Sequence, residues 1–133
     1  METLFWETQL MTGNGAKKGF LTTHVLDTAL GCPAAKISVS VSRIVESKIH
    51  LIATDKTNDD GRLAKPILSG DEFSKGTYEL VFNVGEYFEN LSKWDSLPFF
   101  DRIPIRFKIW NEDEHYHVPL LLSPFGYSTY RGS

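Results

Sequence analysis

The chain has 133 residues, of which 41% are hydrophobic and 13% aromatic, and its formal net charge is −3 at pH 7. This length suits one globular domain with a single core, and the hydrophobic content excludes a disordered tail. The acidic balance argues against nucleic acid or an anionic membrane surface as partner, and no apolar run approaches the ~20 residues of a membrane span.

The first eighteen residues, METLFWETQLMTGNGAKK, differ from the rest of the sequence. Glu2 and Glu7 interrupt their apolar residues, and Lys17 and Lys18 follow them. A secretory signal has its positive charges first and an unbroken apolar middle. We therefore predict that residues 1–18 form a flexible N-terminal extension and that one domain spans residues 19–133.

From residue 19 onward, apolar residues recur at every second position, which is typical of half-buried β-strands. The clearest examples are residues 37–41, 78–82 and 103–109. Turn residues separate the strands at residues 31–33, 58–61, 69–71 and 111–114. Only Val84–Leu91 (VGEYFENL) repeats its apolar residues every three or four positions, so it predicts one short helix. The pattern predicts an all-β protein, built as an antiparallel sandwich or barrel.

Alternation along the strands also assigns side chains to faces. One face, predicted to be otherwise mostly apolar, carries Phe20, Thr22, His24 and Leu26. A second face carries His115, His117, Pro119 and Leu121. On the last strand, Tyr130 projects opposite to Tyr127, Thr129, Arg131 and Ser133. From this pattern alone, a β-sandwich with a possible histidine-rich site is as much as can be predicted.

Each of these groups also has an ordinary structural explanation. A single histidine in a strand is usually a satisfied core or surface residue, and Arg62, which follows an Asp-Gly turn, is in a place where arginine is commonly just solvated. His115 and His117 could bind zinc, although a zinc site needs a third ligand. Cys32, the only cysteine, lies in the predicted turn and is not expected to act as a nucleophile.

The C-terminal stretch HYHVPLLLSPFGYSTYRGS, residues 115–133, resembles the closing signature of the 5-hydroxyisourate hydrolases, the transthyretin-related enzymes of urate breakdown. Two further stretches agree with that family: LTTHVLDTALGCPA at residues 21–34 and TNDDGRL at residues 57–63. The terminal Tyr-Arg-Gly-Ser is specific to the hydrolases, because the transthyretins proper, which carry thyroid hormone, lack it. The resemblance extends over residues 19–133.

The resemblance implies a transthyretin-like, two-sheet antiparallel β-sandwich of about eight strands with one short helix. It also implies a homotetramer with the active site at the dimer–dimer interface. The implied reaction is hydrolysis of 5-hydroxyisourate to 2-oxo-4-hydroxy-4-carboxy-5-ureidoimidazoline, with no cofactor and no metal. The family's functional residues match His24, Arg62, His117, Tyr130 and Ser133.

The expected chemistry suits these residue types. His24 or His117 would act as the base that deprotonates the attacking water, and the other imidazole would position water or protonate the departing nitrogen. Arg62 would bind the substrate and stabilise oxyanion charge, while Tyr130 and the end of Ser133 would orient the ring. Adding residues after Ser133 is therefore expected to lower activity.

Two other functions stay open: a carrier that binds an aromatic ligand without turnover, and a zinc hydrolase built on His24, His115 and His117. Turnover of 5-hydroxyisourate would exclude the carrier, and resistance to a chelator would exclude the zinc enzyme. Residues 1–30 show neither a secretory signal nor the peroxisomal nonapeptide of eukaryotic relatives. The cytoplasm is therefore the expected compartment, with the peroxisome as the alternative.

Overall fold

A computed structural model describes residues 19–91 and 97–132 of the chain. The expectations for residues 1–18 and for Ser133 lie outside the described residues. The first of two β-sheets contains β1 (Phe20–Asp27), β2 (Cys32–Pro33), β5 (Leu68–Ser69), β8 (His115–Ser123) and β9 (Gly126–Thr129). The second contains β3 (Ser38–Val45), β4 (Lys48–Lys56), β6 (Gly76–Asn83) and β7 (Arg102–Ile109). One turn of 3₁₀ helix (Gly70–Glu72) follows β5, and helix α1 (Val84–Leu91) follows β6.

The two sheets enclose one hydrophobic core, and the alternation read from the sequence decides which side chains enter it. Leu21 and Val25 of β1 are fully buried, whereas Thr22 and His24 between them are only partly buried. The apolar positions of the second sheet that are fully buried include Val39, Val41, Tyr78, Leu80 and Phe82. The predicted all-β sandwich and its short helix at Val84–Leu91 are confirmed. Among the described residues, no helix is long and apolar enough to cross a membrane.

The first sheet departs from the predicted antiparallel arrangement, because β1 and β8 pair in parallel from Phe20 opposite His115 to Asp27 opposite Leu122. Only strands joined by a tight hairpin must be antiparallel. The chain between β1 and β8 passes through the whole second sheet, so β8 can enter beside β1 in either direction. The second sheet, in the order β4-β3-β6-β7, is antiparallel throughout.

The turn prediction was wrong for Cys32 and Pro33, which form β2 and pair with Asp27 and Leu26. The turn lies earlier, and Gly31 ends it with a φ of 73°, in the left-handed region that favours glycine. Cys32 is exposed on this short edge strand. Pro33 can occupy such a strand because an edge position does not require its missing N–H.

A buried carboxylate joins helix α1 to the end of β1. Asp27 is 2% exposed, and its Oδ2 accepts a 2.7 Å hydrogen bond from the Tyr87 hydroxyl. Its Oδ1 accepts from the backbone N–H groups of Ala29 and Leu30 at 3.0 and 2.9 Å. Burial, reinforced by Asp27, raises the pKa of Tyr87, so the phenol stays a neutral donor. This contact fixes the β1–β2 turn and the helix to the sheet that carries the histidines.

We expect Asp27→Ala to lower the free energy of unfolding by about 2–4 kcal/mol, because three donors lose a charged acceptor and the Tyr87 hydroxyl is left buried. Tyr87→Phe removes one of the three bonds and should cost about 1–2 kcal/mol. Urea unfolding measures both, with Asp59→Ala in an exposed turn as the control. An Asp27→Ala protein as stable as this control would show that the carboxylate is not the anchor.

Candidate active site

His24 and His117 lie side by side on the face of the first sheet that points away from the core. The parallel register places Thr22 opposite His117 and His24 opposite Pro119. The ring centroids of His24 and His117 are 6.5 Å apart, and both side chains are partly buried. By alternation His24 shares this face with Phe20, Thr22 and Leu26, and the neighbouring strand β8 adds a second imidazole to it.

The turn at residues 58–61 holds Arg62 against β1. The N–H of Gly61 donates to the carbonyl of Asn58 at 2.9 Å, and its carbonyl accepts at 2.9 Å from the N–H of Val25. The backbones of Arg62 and His24 form an isolated antiparallel β-bridge. Gly61 has a φ of 75°, and a Cβ there would lie 2.4 Å from the carbonyl oxygen of Val25. Glycine is thus the residue that lets the turn approach β1 closely enough to place Arg62 beside His24.

The end of the chain continues along the edge of β8. The N–H of Gly132 donates to the carbonyl of His117 at 2.7 Å, and the register that pairs Thr129 with Leu120 places Tyr130 opposite Pro119. This register puts Tyr130 on the face of the histidines, whereas the alternation had predicted only that it projects opposite to Thr129 and Arg131. The placement of Ser133 stays a prediction.

Arg131 is on the other face and belongs to the scaffold. Its guanidinium lies 4.1 Å from the centre of the Tyr116 ring and pairs with Glu114 at 3.3 Å. This cation–π contact fixes the last residues of the chain to the sheet. Arg131 thus anchors the end of the described chain, and Gly132 makes the contact with His117.

Gly132 leaves room for the imidazole of His117. A Cβ at residue 132 would lie 2.8 Å from Cδ2 of that ring, closer than such atoms approach one another. We expect Gly132→Ala to displace the ring and to lower kcat by about 10–100-fold, since displacements near 1 Å cost rates of this order. Gly126→Ala is the matched control, because a Cβ there meets nothing closer than Ser123 Oγ at 3.6 Å. Steady-state kinetics compares the two, and equal activity would refute this steric role.

A threonine that the sequence reasoning did not select connects two histidines. Thr22 Oγ1 is 2.6 Å from Nε2 of His115 and 2.7 Å from Nδ1 of His117. The His115 ring also stacks on Phe20, with ring centroids 4.3 Å apart. The sequence did show that Thr22 and His24 lie two residues apart, as do His115 and His117, so each pair shares a face of its strand. Only the parallel register shows that the two pairs are neighbours.

The surroundings keep both imidazoles neutral at pH 7. Burial, then the Arg62 charge, lowers the pKa of His24, and nearby Asp60 partly offsets this. Burial, then Arg62, His115 and His24, lowers the pKa of His117 to about 4. A neutral imidazole can take a proton from water, whereas an imidazolium cannot. The face therefore combines two proton acceptors with a permanent cation.

The three histidines do not form a metal-binding cluster. Their ring centroids are 6.5 Å apart for His24 and His117 and 6.0 Å apart for His115 and His117. Thr22 already contacts one nitrogen of His115 and one of His117. Across residues 19–91 and 97–132, no three His, Cys, Asp or Glu side chains are grouped so that they could hold a metal ion.

Residues 21–132 match the family described as the HIUase/Transthyretin family. The 5-hydroxyisourate hydrolase 2 of Rhizobium meliloti is 53% identical over 119 residues, which cover 89% of this chain and 99% of that protein. The structure of Klebsiella pneumoniae 5-hydroxyisourate hydrolase matches with a TM-score of 0.71 and 36% identity, covering 86% of this chain and 99% of the other. Transthyretin from Sparus aurata matches with a TM-score of 0.76 and 30% identity, covering 84% and 95%. The backbone is similar to both kinds of protein, and the sequence is more similar to the two hydrolases.

Proposed function

Because the chain belongs to the HIUase/Transthyretin family, we propose that it hydrolyses 5-hydroxyisourate to 2-oxo-4-hydroxy-4-carboxy-5-ureidoimidazoline in urate degradation. One observation distinguishes this enzyme from a carrier of the same fold: two neutral imidazoles lie beside an arginine on one face, with ring centroids 6.5 Å apart. A carrier needs no proton acceptor of this kind. The hydrolase does, since water is a weak nucleophile at neutral pH.

The reaction requires one proton to be removed and one to be delivered. A water oxygen attacks a carbonyl carbon of the six-membered ring while its proton passes to His24 or His117. The ring C–N bond then breaks, and the departing nitrogen takes a proton from the imidazolium formed in the first step, directly or through the second imidazole, so both rings end neutral. Lowered pKa values keep the accepting ring neutral when the substrate binds, and they make the imidazolium that forms a stronger acid towards the departing nitrogen.

Arg62 supplies the positive charge of the site. Attack on the carbonyl develops negative charge on its oxygen, and a guanidinium stays charged throughout the working pH range. Two observations support this role: the backbone of Arg62 pairs with that of His24, and the Arg62 charge lowers the pKa of both His24 and His117. Tyr130 and the end of Ser133 complete the proposed substrate contacts and orient the ring.

The proposed assembly is a homotetramer that encloses this face at the dimer–dimer interface. Large apolar side chains on two turns of the first sheet support association, since Leu30 is 63% and Phe125 80% exposed. Light scattering after gel filtration measures the mass. A monomer would contradict the proposed assembly.

The deciding experiment follows the ultraviolet absorbance of freshly prepared 5-hydroxyisourate with and without the protein. We expect the protein to speed the decay far beyond the spontaneous rate and to keep its activity after treatment with a strong chelator. Decay at the spontaneous rate would leave the carrier as the better explanation. Loss of activity on chelation, restored by zinc, would favour the metal-dependent alternative.

A further inference from the structure

The hydroxyl of Thr22 lies between two imidazoles and contacts both at hydrogen-bonding distance, 2.6 Å to His115 Nε2 and 2.7 Å to His117 Nδ1. A hydroxyl has one proton to donate, so it cannot donate to both rings. At least one of the two ring nitrogens must therefore carry a proton and donate it to Thr22. When the hydroxyl donates its own proton to the other ring, Thr22 couples the tautomer of His117 to that of His115.

The three groups are held in place by the sheet. Thr22 pairs with His117 in the parallel ladder, and its branched side chain has a restricted χ1 angle. The His115 ring stacks on Phe20, the residue two positions before Thr22 on the same face. The hydroxyl is consequently positioned before any substrate binds.

A chain of hydrogen bonds from one imidazole through the Thr22 hydroxyl to the other can run in two directions. Either Nδ1 of His117 donates to Thr22, which donates to His115, or the direction is reversed. In the first, Nε2 of His117 has a free lone pair; in the second, Nε2 carries a proton. Because Thr22 contacts Nδ1, only the first arrangement leaves His117 a nitrogen that can take a proton from water.

We propose that Thr22 is a positioning residue that keeps the proton of His117 on Nδ1, with His115 accepting the hydroxyl proton, so that Nε2 of His117 is the atom that deprotonates water. This inference rests on the proposed function and assigns the base that the reaction requires. The arrangement resembles other histidine sites in which a partner at one ring nitrogen sets the tautomer at the other. Here the partner of His117 is the neutral hydroxyl of Thr22, which in turn contacts the imidazole of His115.

Thr22→Val tests the proposal, because it removes the hydroxyl while keeping the branched shape and a high strand propensity. We expect kcat to fall by about 10–100-fold, as on loss of other tautomer-fixing partners, with KM changed less than about twofold. Thr22→Ser keeps the hydroxyl and should retain kcat within about threefold of the unaltered protein. Thr22→Ala provides a second hydroxyl-free variant, and each variant is first checked for an unchanged unfolding midpoint.

The tautomer is measured separately, from the ring ¹⁵N shifts of His117 without substrate. We expect protonated Nδ1 in the unaltered protein and in Thr22→Ser, and a shift of the proton towards Nε2 in Thr22→Val. Protonated Nε2 in the unaltered protein, an unchanged tautomer in Thr22→Val, or equal kcat losses in the Ser and Val variants would each overturn the proposal. Since the ¹⁵N measurement needs no turnover, a protein that fails to hydrolyse 5-hydroxyisourate would refute the proposed function while the role of Thr22 is still decided.

Discussion

His117→Gln is expected to lower kcat for 5-hydroxyisourate by about 10²–10⁴-fold, because glutamine keeps a polar side chain of similar reach but cannot take a proton from water. His24→Gln should also reduce kcat, since we propose that this second imidazole positions water or protonates the departing nitrogen. The absorbance assay measures both. His50, the exposed histidine of β4 on the other sheet, provides the matched control as His50→Gln. Unaltered kcat in His117→Gln would remove this residue from the mechanism.

The pH dependence of the unaltered protein gives the same base a second test. Its neutral form is lost as pH falls through its pKa, and burial lowers the pKa of His117 to about 4. We therefore expect kcat/KM to stay high below pH 6.5 and to fall only as the pH approaches about 4. An acid limb at or above pH 6.5 would contradict the assignment.

The same shift in pKa affects folding stability. In the unfolded chain His117 binds its proton at higher pH than in the folded protein, so it makes the folded state less stable as pH falls from about 6.5 to 4.

Arg62→Gln is expected to lower kcat/KM by about 10²–10³-fold, the usual effect of removing one donor to a developing oxyanion, or ~3 kcal/mol of barrier. Arg62→Lys should recover part of this loss, because it keeps the charge but lacks the planar fork of donors. Arg102, exposed on β7 of the second sheet, supplies the matched control as Arg102→Gln.

The same substitution should also move the pH profile. Arg62 lowers the pKa of both His24 and His117, so its removal raises both values towards 6.5. We expect the acid limb of kcat/KM to shift to higher pH in Arg62→Gln and to stay in place in Arg62→Lys. A profile with the same midpoint in all three proteins would show that the guanidinium does not act on the histidines.

The strands and the helix could be predicted because they depend on local periodicity. Val39, Val41, Leu80 and Phe82 enter the core as their alternation indicated, and Val84–Leu91 is helical with the predicted limits. The parallel pairing of β1 with β8 could not be predicted, since it depends on how the chain crosses between sheets. The pairing of Cys32 and Pro33 was likewise hidden, because two residues are too few to show a period.

The candidate site follows the same division. Resemblance to the hydrolases indicated His24, Arg62 and His117. The fold places the two histidines on one face of the first sheet and pairs the backbone of Arg62 with that of His24. Thr22 was missed because its importance depends on register: a slip of one residue would turn it to the core. Periodicity along β1 likewise shows which side chains share a face with His24, but not that β8 brings His117 beside it.

The parallel pairing of β1 with β8 has a consequence for biogenesis. Thr22 contacts residues 93 and 95 positions later in the chain, so the proposed relay joins the first strand of the sheet to β8. Contacts of such long range slow folding, and the chain must leave the ribosome as far as His117 before they can form. A chain that ends before His115 therefore cannot form these contacts, and the appearance of turnover during refolding would report when β8 has paired with β1.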